Sequence, residues 1–259
     1  MMLYLKYVRM VLYCQLQYRA SFFMTLLAQM LTPLSVLAGT LLLFQRFGRL
    51  GVWSVGEVLL LFAVIHMAFA LSECFARGFD LFSRLIIQGE FDRILVRPRN
   101  TVLQILGAKI EFSRFGRLAL SLIVLAVALT RTEIAWTGWR ILTLLLMISC
   151  GALIFAGIFM LAATLCFWTL QGIEVANIFT DGGREMAQYP LDIYRKEVMR
   201  FFTYVIPFGA VNYLPLRYLL NQPGSALWQA FIPLAALLFL IPCLLLWRLG
   251  VRRYQSAGS

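Results

Sequence analysis

Along the chain, long uncharged stretches alternate with short charged ones, and the uncharged stretches have the length of membrane helices. Residues 22–44 carry no charged side chain, and a helix needs about 20 residues to cross a bilayer core. Pro33 and Gly39 lie inside that stretch; both residue types are tolerated in membrane helices, where neighbouring groups re-satisfy the freed backbone. A second apolar stretch covers 58–75, with Glu57 before it and Glu73 near its end. A third covers 112–130. Its strictly uncharged part begins only at Leu118, so Arg114 and Arg117 are expected to snorkel towards the headgroups on their apolar stems. Residues 141–173 are uncharged throughout and too long for one upright crossing, which predicts a fourth helix over 141–168 and a turn near Gln171 and Gly172. The last stretch, 226–247, is followed by Arg248, Arg252 and Arg253.

Three segments show other patterns. Over 173–188, a turn of 100° per residue puts Glu174, Asp181 and Glu185 on one narrow face, with Asn177 and Arg184 beside them. This reads as an amphipathic fifth span whose polar face meets protein or water. Residues 201–216 are apolar but interrupted by Pro207, Gly209 and Pro215. Two short helices around a break, dipping in and returning to the same side, satisfy that pattern if the broken backbone is buried in protein; the external re-entrant segment is bounded at 195–220. In 1–21, Lys6, Arg9, Tyr13 and Gln17 follow one helical face and Leu5, Val8, Leu12 and Leu16 another. With no short apolar core and cleavage site behind the basic residues, this reads as an interfacial helix on the inner leaflet. The expected fold is therefore an all-α integral membrane protein forming a single transmembrane domain, with six spans, both ends on one side.

Composition supports the class. The chain is 61% hydrophobic and only 14% charged, whereas soluble domains are nearer half apolar and a quarter charged. A net charge of +11 suggests nucleic acid in a soluble protein; here the positive-inside bias explains it better. With both termini inside, the larger share of the 23 basic residues lies on inner segments, including Arg77, Arg84, Arg93, Arg97, Arg99, Lys109, Arg114 and Arg117. The charged island 77–100 is thus expected in the cytoplasm.

The reactive inventory is sparse. The lysines are Lys6, Lys109 and Lys196, none of them after a glycine, so there is no phosphate-binding G-x-x-x-x-G-K-[ST] loop. His66 is the one histidine and reads as a helix-packing or pore-lining residue, since a metal needs several ligands. The five cysteines have no C-x-x-C spacing and read as small apolar residues within helices. No H-E-x-x-H or G-x-S-x-G occurs. Any chemistry within the membrane rests on Glu174, Asp181 and Glu185. Such carboxylates either couple protons or catalyse, or they are paired, Asp181 with Arg184 at i+3 and Glu185 across a helix interface. A proton-coupled secondary transporter and a membrane-embedded lipid-modifying enzyme are the alternatives this leaves open.

Several pieces carry a resemblance. They are Tyr18-Arg19-Ala20, Gly89-Glu90-Phe91-Asp92-Arg93-Ile94-Leu95-Val96-Arg97-Pro98, Phe167-Trp168-Thr169, Tyr189-Pro190-Leu191-Asp192-Ile193-Tyr194, and Thr203 to Pro215. Together they resemble the membrane subunits of type-2 ATP-binding-cassette (ABC) exporters, in the branch of small six-helix permeases. The resemblance implies a coupling helix in the first cytoplasmic loop and re-entrant helices before the last span. It implies a permease subunit of the inner membrane that is not itself an enzyme and carries no cofactor, with ATP and Mg held by two partner ATPase subunits. A second permease, identical or sister, would complete the path for an unidentified hydrophobic or amphipathic substrate; membrane lipid is a partner and nucleic acid is not. On this reading Arg84, Gly89, Glu90, Phe91, Asp92 and Arg93 dock and couple to the ATPase. Glu174, Asp181, Arg184, Glu185, Tyr189 and Asp192 are candidates for the translocation path.

Overall fold

The computed structural model describes residues 2–169 and 172–255, and their side chains other than those of residues 2, 3, 5 and 172–176. Five helices among the described residues are long and apolar enough to cross a membrane. Because the chain has few polar side chains to satisfy backbone groups in lipid, helices, which bond internally, are the form these stretches take. Around a central helix α3 (Val55–Ala76) pack α7 (Phe115–Arg131) and α8 (Gly138–Leu165). Helix α2 (Arg19–Phe47) lies against α7, and α12 (Ala235–Arg253) against α8.

Burial follows the sequence pattern. Helix α3 is apolar on every side, the mark of a helix enclosed by others, and nearly all its residues from Val58 to Ala70 are buried. Its start is fixed by a capping box: Ser54 Oγ accepts from the Glu57 N–H, and the Glu57 carboxylate accepts from the Ser54 N–H at 2.7 Å. Helix α2 instead leaves Leu27, Leu31 and Leu42 exposed. It reaches α7 closely because Gly116 packs directly on the Leu26 carbonyl, where a Cβ would not fit.

Connections gather at two ends. At one, Phe82, Phe91, Phe167, Trp247 and Tyr254 form a single ring cluster. It joins α4 (Phe82–Ile87) and α5 (Glu90–Val96) to the ends of α8 and α12. At the other, Trp53 meets Asp192 and Tyr213, and Trp139 meets Phe231. Helix α9 (Gly172–Ala187) runs between these ends, since Phe167 and Trp168 precede it at the first and Tyr189 to Asp192 follow it at the second. Its 16 residues span about 24 Å at 1.5 Å per residue, less than a full apolar crossing, and it is not one of the five long helices.

The segment after α9 dips and returns. Helix α10 (Lys196–Tyr204) leads to a break at Pro207, followed by a π-helical turn over Gly209–Tyr213 and α11 (Leu214–Leu219). The tip carries Phe208, fully buried against Phe155 in the middle of α8. It sits on Gly183 of α9, where a Cβ would lie 2.5 Å from the ring. Asn212 Nδ2 donates to the Ala187 carbonyl at 2.6 Å, so the irregular backbone is held inside protein.

Several boundaries differ from those read from hydropathy. The last long helix starts at Ala235, not at 226, because residues 227–234 wind into two 3₁₀ turns around Pro233, and it continues through Arg248, Arg252 and Arg253. The N-terminal helix α1 (Met2–Gln17) is separate from α2. It docks on α6 (Thr101–Ala108) and on the loop after it: Tyr7 packs over Gly107 of α6, and Gln15 Nε2 donates to the Ile110 carbonyl at 2.7 Å.

Candidate coupling helix and intramembrane polar layer

Helix α5 is built as a short rod on a sharp corner. Gly89 sits in the left-handed region (φ 66°) at its N-terminus, a conformation that glycine adopts without a steric penalty. Glu90 and Asp92 then occupy the first turn, where negative charge suits the helix dipole. Asn100 caps the following α6 by accepting from the Val102 N–H at 2.9 Å, and Gln104 Nε2 reaches back to the Ile94 carbonyl at 3.1 Å.

The two faces of α5 differ in kind. Glu90 and Arg93 are exposed and Asp92 is half-buried; before the helix, Arg84 of α4 is exposed and the corner residue Gly89 is half-buried. Phe91 is fully buried. Its ring meets Phe82 at 4.9 Å, Tyr254 at 5.0 Å and Phe167 at 5.8 Å, centroid to centroid. Trp247 completes the cluster and donates its indole N–H to Thr101 Oγ1 at 3.1 Å. Phe91 therefore points into its own chain and is not available as an anchor on a partner's surface. The exposed apolar side chains beside the charged face are Ile87 (63%), Leu95 (37%) and Val96 (84%), which sequence reasoning passed over because none of them breaks a helical apolar period.

Of the six candidate path residues, three come together. Arg184 is buried and lies between Asp181 (3.3 Å) and Glu185 (2.8 Å) of the same helix. The other Glu185 oxygen accepts from Gln188 Nε2 at 2.7 Å, and Gln188 Oε1 meets His66 Nε2 at 3.2 Å. Since an amide oxygen only accepts, His66 carries its proton on Nε2 in this contact. The ring stacks on Phe62 at 4.0 Å, so His66 serves packing. Glu185 pairs within α9, not across a helix interface as its spacing suggested. Tyr189 and Asp192 lie apart from this group. Tyr189 Oη pairs with Thr40 Oγ1 at 3.0 Å, and both Asp192 oxygens accept from the buried Trp53 indole N–H at 3.0 Å. They fasten the end of α9 to α2 and to the turn before α3. The side chain of Glu174 lies outside the described residues.

The largest correction concerns Arg114 and Arg117. Neither snorkels outward. Both turn inward to Glu73, which is 2% exposed. Arg117 Nη1 pairs with Glu73 Oε2 and Arg114 Nη1 lies 3.4 Å from Oε1, which also takes Arg77 at 2.6 Å. Arg114 further binds Glu111 (2.7 Å) and Gln29 of α2 (2.7 Å). Burial works against charge on Glu111, but Lys109 and Arg114 hold its carboxyl below the usual range. Phe69 links this cluster to the α9 group: the Arg117 and Arg184 guanidinium carbons lie 5.1 and 4.8 Å from its ring centre. The signal in sequence was Glu73 itself, a carboxylate inside a span, which is costly in lipid and therefore calls for a partner.

A family model for ABC-2 family transporter proteins matches residues 30–258. The chain belongs to this family. It is a multi-pass membrane protein and the membrane part of an ABC transporter, a type of subunit that is not itself catalytic and works with ABC ATPase subunits that use ATP and Mg. No curated protein and no solved structure matches the chain. Among the described residues no group of His, Cys, Asp and Glu is placed to hold a metal ion.

Proposed function

We propose that this chain is the permease subunit of an ATP-driven exporter in the inner membrane. Two permeases, identical or sister, and two ATPase subunits make the working complex, and the cargo is a hydrophobic or amphipathic molecule. The observation that carries the reading is the division of α5 into an exposed face of Glu90 and Arg93, with Arg84 exposed on the preceding α4, and a buried Phe91 rooted among α4 and the ends of α8 and α12. A push on the outer face by a docked ATPase is delivered through close-packed rings, which transmit displacement because protein interiors have low compressibility. Helix α9 supplies the sixth crossing, its polar face turned to protein and to the path. The coupling end, with both termini, faces the cytoplasm, in keeping with its basic residues.

The pairing of Asp181 and Glu185 with Arg184 favours a lining or structural role over proton coupling, since neither carboxylate is left to shuttle a proton alone. The test uses the exposed face. Glu90→Arg with Arg93→Glu should abolish co-purification with the ATPase and substrate-stimulated ATP hydrolysis, while the permease keeps its thermal stability. Normal assembly and hydrolysis with this face reversed would overturn the docking assignment. Transport that persists without any ATPase and collapses with the proton gradient would overturn the exporter reading as a whole.

A further inference from the structure

Helix α9 is held on its two sides by contacts of different kinds. On the side of α8 and the re-entrant segment it is close-packed. The Phe208 ring lies directly on Gly183, Phe179 meets Phe201 at 6.4 Å, and Asn212 Nδ2 donates to the Ala187 carbonyl at 2.6 Å. On the side of α2 and α3 the contacts are polar side chains arranged in a column. At the outer end, Tyr189 Oη pairs with Thr40 Oγ1 at 3.0 Å, and the Asp192 carboxylate accepts from the Trp53 indole N–H at 3.0 Å. Further in, Gln188 Oε1 meets His66 Nε2 at 3.2 Å, and the Arg184 guanidinium carbon lies 4.8 Å from the Phe69 ring centre. Phe62, His66, Phe69 and Glu73 form one stripe of α3, since residues three and four apart share a helix face.

Three features make the polar seam the one that opens at lower cost. Among the described residues, no ion pair crosses it. Arg184 keeps Asp181 and Glu185 on its own helix, while Arg117 pairs with Glu73 between α7 and α3. Helix α9 can therefore move away without separating opposite charges, the step that a low dielectric makes most costly. Polar atoms on both walls, His66 Nδ1, Arg117 Nε and Arg184 Nε, are also buried without a hydrogen-bond partner. Such atoms are unfavourable in a dry interior and gain bonds when water reaches them. Lastly, side-chain hydrogen bonds exchange for bonds to water at small net cost, whereas lifting Phe208 off Gly183 leaves a void in a packed core.

We propose that α9 parts from α2 and α3 along this seam during each transport cycle, admitting water to His66 and Arg184 within a single chain. The Thr40–Tyr189 and Trp53–Asp192 bonds are the outer latch that closes it. The proposal rests on the permease reading and adds a moving part to it. The test uses the full complex with its ATPase in nanodiscs, in a Cys14→Ser background, since the other four cysteines are buried. His66→Cys and Gln188→Cys place one probe on each wall, both at buried positions, so the test does not depend on one variant folding. The reagent is an anionic, membrane-impermeant methanethiosulfonate, and labelling is read by intact mass. A minor state is populated at about 0.1–10%, so a shift to the open state should speed labelling at least about tenfold when ATP is added. Val64→Cys, buried about 200° around α3 from His66, should stay unlabelled. Thr40→Cys with Tyr189→Cys, joined by a short reducible bis-methanethiosulfonate, should stop transport, and reduction should restore it.

Equal labelling of both probes with and without ATP would overturn the proposal, since the seam would then be permanently wet. Labelling of Val64→Cys at the same rate would overturn it in favour of general loosening of the bundle. Undiminished transport by the linked Thr40→Cys and Tyr189→Cys pair would overturn the latch, because the outer end of α9 would then stay closed throughout the cycle. If no ATPase co-purifies and the linked pair still blocks transport by the chain alone, the permease reading fails and the seam assignment stands. If the ATPase assembles and transport runs while both probes stay unlabelled, the seam assignment alone fails.

Discussion

Replacing Glu73 by Gln tests whether the inner arginines are held by protein or by headgroups. Glu73 and Arg117 side chains are 3% and 6% exposed, so the substitution leaves a buried guanidinium without its counter-ion. Breaking a buried ion pair on one side costs about 3–5 kcal/mol. Arg77 keeps Asp80, and Arg114 keeps Glu111 and Gln29, so the loss concentrates on Arg117. That residue retains its contact with the Phe69 ring, a type of contact worth about 0.5–2 kcal/mol. A destabilisation near 3 kcal/mol is expected, which for a chain of this size lowers the melting temperature by roughly 6–12 °C. The assay is thermal unfolding of the purified chain in detergent, followed by tryptophan fluorescence. Glu73→Leu combined with Arg117→Met should recover most of the loss, because replacing both members of a buried pair by apolar residues is often neutral. A loss below about 0.5 kcal/mol for Glu73→Gln, the scale of exposed pairs, would refute the inward arrangement and restore the picture of Arg117 reaching to the headgroups.

Other expectations follow from single positions. Phe91→Ala should destabilise by about 3–5 kcal/mol, as for large-to-small core changes. Phe91→Leu should keep the fold and the ATPase partner while lowering transport per ATP hydrolysed, measured in proteoliposomes. Gly89→Ala should cost about 1–2 kcal/mol, the penalty for a left-handed non-glycine residue, and Gly89→Asn less, both read by thermal unfolding. Glu111 titrates below its ordinary value of 4.5, so its stabilising contribution is present above about pH 4.5 and is lost as pH falls through the lower folded value. The stability advantage of the wild type over Glu111→Gln should therefore shrink in acid and persist at neutral pH.

The long apolar runs were legible because a bilayer crossing demands a length and a composition that local sequence displays directly. The same holds for the break at Pro207 and for the island at Gly89, which lipid rejects; Pro215, expected as a further break, instead sits in the first turn of α11 and interrupts nothing. The Asp181 and Arg184 pair was legible too, being three residues apart on one helix. The destinations of side chains were not. Whether Arg117 points to headgroups or to Glu73 depends on how α3 and α7 are placed, and the two residues are 44 positions apart. Phe91 reads as an anchor for a partner until Phe82, Phe167, Trp247 and Tyr254 close around it from three other parts of the chain. Tyr189 and Asp192 read as path residues until Thr40 and Trp53 claim their polar atoms. Hydropathy and periodicity report what each segment requires of its surroundings. Packing between distant segments decides which residue supplies it, because a buried charge or ring is satisfied by whatever the fold brings within a few ångströms.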